Sequence, residues 1–410
     1  MVPRRTVLGA ALALLAVGCG SEDAVPGDAG RIDAELVARL SAADRQEVAG
    51  ALGAFGFDLL GELDAGRRNT VISPLSVAAL LALLLAGARE RTAGAMADVL
   101  HLDSTRDVRV GALLRLLADT KDVDLSVANA LWADKGFPVR GGYLDYVEGT
   151  LGATVREAEL GSRKAADDID AWASEQTEGR IEEMAEDLGL PSPNASLVLL
   201  NAVYFLGTWT KRFDRDATRK EPFTLASGER VRLPMMHMSS ETYSYARRDG
   251  YEMLRLPYGD EERYGMEVML PGKSGIDGLL KRLDLREWRA ATGALAKEEV
   301  QELALPRFEL RWGQKLNTPL SRLGMATAFE DGDFTRISKA APALDVVVHK
   351  TYIRVDENGT EAAAVTGGAM LSSAPVDPLV FRVDRPFAFT ISDRKTGSIL
   401  FLGTVLDPRE

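Results

Sequence analysis

Residues Asp356 to Thr366 read DENGTEAAAVT, a stretch that suits two structural states. It opens with charged and turn-forming residues, as a solvated loop should. It continues through Thr360, Glu361, Ala362, Ala363, Ala364, Val365 and Thr366, which are small or β-compatible, with no Pro before Pro375. Such a segment can lie exposed and later serve as a buried strand. Every second residue from Thr360 (Ala362, Ala364, Thr366, Gly368) is small enough for a tight interior, and a period of two is the pleat of a strand. By propensity alone, an Ala-rich run after a Gly more often starts a helix.

The flanks reverse that reading. Upstream, Leu344 to Val355 reads LDVVVHKTYIRV, a β-branched run of strand type; downstream come LVFRVDRPFAFTI from Leu379 and GSILFLGTV from Gly397. Taken together, HKTYIRVDENGTEAAAVT from His349 and DRPFAFTISDRKTGSILFLGTVLDP from Asp384 closely resemble the C-terminal signature of the serpins, the serine protease inhibitor superfamily. The resemblance runs across nearly the whole body. NTVISPLS from Asn69 looks like the family's early helix motif. EQTEGRI from Glu175, followed by LLNAVYFLGTW from Leu199, looks like its middle motif. Leu305-Pro-Arg-Phe308, then Leu323-Gly-Met325 with Ala328-Phe329, follow in the family's order. Each motif is weak alone; together, in order and at compatible spacing, they specify the fold.

Composition agrees. A formal net charge of −12 disfavours nucleic-acid binding, which needs a positive footprint against phosphates. The three histidines, His101, His237 and His349, are widely spaced, and Cys19 is the one cysteine, so there is no metal-ligand spacing and no intramolecular disulfide. With no G-x-S-x-G elbow either, an enzyme is disfavoured, and no cofactor is expected.

The N-terminus carries Arg4 and Arg5, an apolar run from Val7 to Val17, then Gly18-Cys19-Gly20. The run is too short to span hydrocarbon and reads as a signal peptide over residues 1–18. Cys19, after small residues, resembles a bacterial lipobox and is the expected lipidation site, although Ala16 stands where Leu is commoner. The paired arginines loosely match a twin-arginine export signal. Residues 19–44, rich in Ala, Gly and acidic residues, read as a flexible tether, and 45–410 as a single domain without internal linkers or repeats. The protein is thus expected to be exported, anchored to a membrane through Cys19 at the bacterial cell envelope, and monomeric.

Helical patterns dominate the first half of that domain: 46–63, 73–87, 92–100, 106–119, 141–151 and 165–177, with a strand at 124–133. Ser73 before Pro74 is a good helix start, since Ser caps and Pro suits the first turn. Strands take over at 197–205, 223–225, 231–238, 243–245, 251–257, 264–271 and 300–309, with helices at 276–283 and 316–323. Helices first and strands later, without βαβ alternation, indicate an α+β fold. The resemblance implies the serpin version: N-terminal helices packed on a large, mostly antiparallel sheet plus smaller sheets, with an exposed reactive loop near the C-terminus.

The resemblance also implies a mechanism and its residues. A protease attacks the loop as substrate, and the freed loop then inserts as an extra strand into the main sheet, carrying the acyl-enzyme with it. Glu357, Gly359, Thr360, Glu361, Ala362, Ala363, Ala364, Val365 and Thr366 match the hinge. Thr360 enters the sheet first, and Ala362 and Ala364 face its interior. Gly367 and Gly368 depart somewhat, because Gly weakens a strand. Ser73, Ser76, Asn201 and His349 match the shutter, where strands part; read without the resemblance, His349 is a satisfied core histidine and Ser73 a cap. Trp209 matches the breach tryptophan, and Arg307 faces Glu357 where the family often has Lys, a pairing that Arg can make bidentately. The family spacing from Glu357 gives the reactive bond Ser373–Ala374, with Ser372–Ser373 or Ala374–Pro375 as alternatives. Small residues there favour elastase- or subtilisin-like serine proteases as partners. Met370 and Leu371 suit chymotrypsin-like ones, and the absence of Arg and Lys from Thr360 to Phe381 argues against trypsin-like enzymes. Papain-like cysteine proteases, or a non-inhibitory binding or chaperone-like serpin, are the alternatives.

Overall fold

The computed structural model describes residues 34–118, 123–340, 344, 346–360 and 378–409. Signal peptide, Cys19, the hinge from Glu361 to Thr366 and the bond Ser373–Ala374 all lie outside the described residues.

Helix Ala42–Gly61 opens the body, earlier than the apolar pattern at Gln46 suggested, because a reciprocal cap fixes its start. The Ser41 hydroxyl accepts from the Asp44 N–H at 3.1 Å while Asp44 accepts from the Ser41 N–H at 3.0 Å. A shorter helix, Ala34–Arg39, precedes it and packs on helix Val108–Ala118, and Leu40 is buried. Part of the segment read as tether up to residue 44 is therefore helical, from Ala34 to Arg39 and again from Ala42.

Helix Pro74–Gly87 (PLSVAALLALLLAG) is buried along its whole length. A helix apolar all round belongs inside a core rather than on a surface. Its N-cap is Ser73, whose hydroxyl accepts from the Ser76 N–H at 3.3 Å. This buried helix brings Ser73 and Ser76 to the centre of the molecule.

Three strand assemblies surround it. The largest is mostly antiparallel, in the order Thr70–Ile72, Ser398–Val405, Phe387–Asp393, Tyr264–Pro271, Tyr251–Tyr258, Arg230–Arg248, Ala296–Pro306 and Leu379–Arg382, with Arg219–Thr224 also paired to Arg230–Arg248. The two segments expected at 231–238 and 243–245 are thus one strand. The one expected at 300–309 is two in different sheets: Arg307 still donates its N–H to Pro234 at 3.0 Å, and from Phe308 the chain pairs elsewhere.

A second assembly runs Gly359–Thr360, Leu197–Thr208, Val123–Asp134, Thr154–Ala158. The third is the pair Phe308–Lys315 with Val348–Val355. Strand Val348–Val355 touches Leu197–Thr208, yet among the described residues no backbone ladder joins them. Strand Leu197–Thr208 (LVLLNAVYFLGT) reads as one apolar run because both its faces are covered. Val203 and Phe205 belong to the main core, with helix Pro74–Gly87. Val198, Leu200 and Ala202 belong to a second cluster with Ile169 and Trp172 of helix Arg163–Gln176.

Candidate functional site

The base of the loop is built where strand Val348–Val355 turns back. Asp356 and Gly359 form a tight bridge, N–H to carbonyl at 2.9 and 3.2 Å in the two directions. The Asp356 carboxylate accepts from the Asn358 N–H at 2.9 Å and from Arg354 at 3.1 Å. Asp356, Glu357 and Asn358 are buried, contrary to the solvated start expected of them. Their polar groups are satisfied by the body of the protein rather than by water. Trp209 donates its indole N–H to the Asp356 carbonyl at 2.9 Å and its backbone N–H to the Asn358 carbonyl at 2.8 Å. The Phe213 N–H reaches the Glu357 carbonyl at 2.9 Å, and the Thr218 hydroxyl donates to the Glu357 carboxylate at 2.8 Å.

Arg307 meets that carboxylate through one nitrogen at 3.4 Å, from a half-exposed side chain. The pairing is single, not bidentate: one Glu357 oxygen serves both Thr218 and Arg307. An ion pair this open to solvent contributes at most about 1 kcal/mol.

Gly359 has φ of 150°, and a Cβ there would lie 2.1 Å from the Gly207 carbonyl, so only glycine fits. The chain then starts a new strand antiparallel to Leu197–Thr208, with Gly359 opposite Thr208 and Thr360 opposite Gly207. Thr360 is 2% exposed and shares a 2.7 Å hydrogen bond with the Tyr258 hydroxyl. Tyr258 stacks on Trp209, with ring centres 4.4 Å apart and planes 11° from parallel, and meets Phe205 edge-on at 5.2 Å. Burial pushes the Tyr258 hydroxyl pKa up, so it stays protonated. Further along the chain, strand Leu379–Arg382 runs parallel to Ala296–Pro306, with Phe381 fully buried.

Deeper in the gap, the four shutter candidates meet. The Ser73 N–H donates to His349 Nε2 at 3.0 Å, the Ser76 N–H to the Ser73 hydroxyl, and the Ser76 hydroxyl to Asn201 Oδ1. Asn201 passes the chain on, donating to Asn129 at 2.9 Å. The result is a continuous hydrogen-bonded line from strand Val348–Val355, through the helix start, to strands Leu197–Thr208 and Val123–Asp134. Asn129, Tyr258, Thr218 and Phe213 were not singled out in the sequence. Asn129 alone left a sign, a lone amide within an apolar strand.

Burial pushes the His349 imidazole down to about 3, and its acceptor role toward Ser73 requires the neutral ring. The unfolded chain takes up this proton near 6.5, the folded one only near 3. Stability is therefore untouched above that window and falls as pH drops through it, by up to about 1.4 kcal/mol per pH unit. His349→Gln, which keeps an acceptor but cannot titrate, is expected to flatten the fall in melting temperature between about pH 6.5 and 4. Melting curves across that range check this; an unchanged slope assigns the acid sensitivity elsewhere.

Helices packed on a large mixed sheet with smaller sheets beside it, and a buried loop base near the C-terminus, are the arrangement of the serpin fold. The sequence profile described as serpin (serine protease inhibitor) matches residues 50–408, and the chain belongs to the serpin family. An uncharacterized serpin-like protein of Thermococcus kodakarensis is 36% identical over 382 residues, covering 90% of this chain and 88% of that protein. The leukocyte elastase inhibitor of Xenopus tropicalis is 32% identical over 372 residues, 86% of this chain and 97% of its own. The crystal structure of human thyroxine-binding globulin superposes with a TM-score of 0.80 at 25% identity, covering 90% of this chain and all of that one.

Proposed function

We propose that the protein is an irreversible, suicide-type inhibitor of serine endopeptidases with elastase-, subtilisin- or chymotrypsin-like specificity. The observation that carries this reading is the pair Gly359–Thr360, laddered to strand Leu197–Thr208 beside strand Val348–Val355, which among the described residues has no ladder on that side. Continued in the same register, Ala362 falls opposite Phe205, Ala364 opposite Val203 and Thr366 opposite Asn201. Paired residues share a face. The small side chains would thus meet the main core, and Glu361, Ala363 and Val365 the side of helix Arg163–Gln176. Met370 would then fall opposite Leu197, the end of the strand, which supports a reactive bond a few residues beyond it.

The protease serine Oγ attacks the Ser373 carbonyl carbon. The C–N bond to Ala374 breaks, the Ala374 nitrogen leaves as an amine carrying a proton, and an ester to the enzyme remains. Insertion of 361–372 then carries the ester away before water hydrolyses it. The driving force is a row of new backbone hydrogen bonds, each about 0.5–1.5 kcal/mol net, on the order of ten in sum.

Purified protein mixed with elastase, subtilisin and chymotrypsin is expected to give a band at the summed mass on denaturing gels. Cleavage without that band would defeat the inhibitory reading and favour a binding serpin. The same reading places the protein at a cell envelope through a lipid on Cys19. Cys19→Ser is then expected to move the protein from the detergent phase to the aqueous phase on partitioning; equal partitioning rules out the anchor.

A further inference from the structure

A strand made of Thr, Ala and Gly has little to fix its alignment. Slipping by one residue exchanges its faces, and small, featureless side chains resist the slip weakly. If the register of Gly359 and Thr360 continued to Val365, Ala362 and Ala364 would join Thr360 on the core-facing side, and Thr360 is the one of the three with a polar side chain. That hydroxyl meets Tyr258. Tyr258 ends strand Tyr251–Tyr258 with 0% exposure, its ring held between the parallel face of Trp209 and the edge of Phe205. Gly207 leaves the space the ring occupies, since a Cβ there would come within 2.7 Å of it. A ring packed on these sides cannot swing, so its hydroxyl marks one fixed point in the gap.

We propose that the Tyr258 hydroxyl is a docking post that sets the register of the inserting strand at its first residue, and thereby decides how often a cut loop inserts before the acyl-enzyme hydrolyses. The proposal rests on the inhibitory reading above. A slip of two residues, which preserves the faces, would offer the post Ala362 or Asn358 in place of Thr360. Ala362 brings no polar group and leaves a buried phenol unpaired, while Asn358 is already held by its backbone to Trp209 and Asp356 and would have to break both bonds to reach it. Tyr258 acts on the reaction through Thr360 and never touches the protease; it is a positioning residue.

The test uses Tyr258→Phe and Thr360→Val, singly and together, in the full chain. Phe keeps the stack on Trp209 and removes only the hydroxyl; Val keeps the shape of Thr. Each single variant is expected to raise the number of inhibitor molecules consumed per protease inactivated by about 3- to 10-fold, the worth of one hydrogen bond with an orphaned partner. The double variant is expected to be no worse than either single one, because no orphan remains and the two residues act as a unit. Trp209 emission should be unchanged in Tyr258→Phe, reporting an intact stack. A merely structural hydroxyl would lower the melting temperature and leave the stoichiometry alone, and that outcome overturns the proposal. So does a double variant whose effect equals the product of the single ones. If the wild type forms covalent complex while Tyr258→Phe matches its stoichiometry, the post fails and the inhibitory reading survives. If the wild type forms none, the inhibitory reading fails. The post is then judged by how fast nicked protein gains thermal stability, and equal rates in wild type and Tyr258→Phe overturn it too.

Discussion

Thr360→Arg is expected to convert the inhibitor into a substrate: cleavage proceeds, the covalent band disappears and the stoichiometry rises by more than about 100-fold. Thr360 is 2% exposed, paired opposite Gly207 and bonded to Tyr258. A guanidinium in that position has two options. Held in the strand, it is a buried charge without a partner, costing about 3–5 kcal/mol, and by itself 3 kcal/mol is about a hundredfold in the partition between insertion and hydrolysis. Swung out to water, it takes Gly359 with it and withdraws the first rung on which the rest of the strand would be built. Either way hydrolysis of the acyl-enzyme overtakes insertion. Denaturing gels and titration against elastase read the result. A covalent band of wild-type intensity from Thr360→Arg would mean that insertion does not begin at residue 360.

The loop base shows where a sequence can and cannot be read. Gly359 and Thr360 were picked out through the resemblance, and the structure gives each a local requirement: a backbone that only glycine adopts, and a small, uncharged side chain in a buried strand position. Asp356, Glu357 and Asn358 look like a solvated turn for an equally local reason, being charged and turn-forming. They are buried because Trp209, Phe213 and Thr218, some 140 positions earlier, supply the partners that water would otherwise give. Strand Leu197–Thr208 was read as ending at Phe205, before Gly207. The strand continues because that glycine admits the Tyr258 ring. Tyr258 itself carried no local sign, its role being defined by three residues from other segments. The four shutter candidates were picked through kinship, and how they connect was not read from the sequence. Ser73 offers a backbone N–H to His349, and its hydroxyl turns to Ser76 instead.

Cutting the loop without trapping a protease isolates the spring from the trap. A protein nicked between Ser372 and Pro375 is expected to melt at least about 10 °C above the intact chain. A gain on the order of ten kcal/mol from new ladder hydrogen bonds and burial is divided by an unfolding entropy near 2 cal/mol/K per residue, which for a domain this size gives a shift of about 10–15 °C. The receiving site has the features such a gain needs. Strand Leu197–Thr208 is laddered to the hinge at Gly207 and Thr208, its next ten residues have no ladder partner on that side among the described residues, and strand Val348–Val355 flanks the same opening. The polar line from His349 to Asn201 must rearrange to admit the new strand, which brings Thr366 beside Asn201 as a replacement partner. Removing that replacement with Thr366→Val should trim the gain by a few degrees, while Thr360→Arg should abolish most of it. Calorimetry of intact and nicked samples, with the nick mapped by mass spectrometry, decides the matter. Equal melting temperatures, with residues 361–372 still open to a second protease, would leave the molecule a serpin in fold without a stored drive to insert.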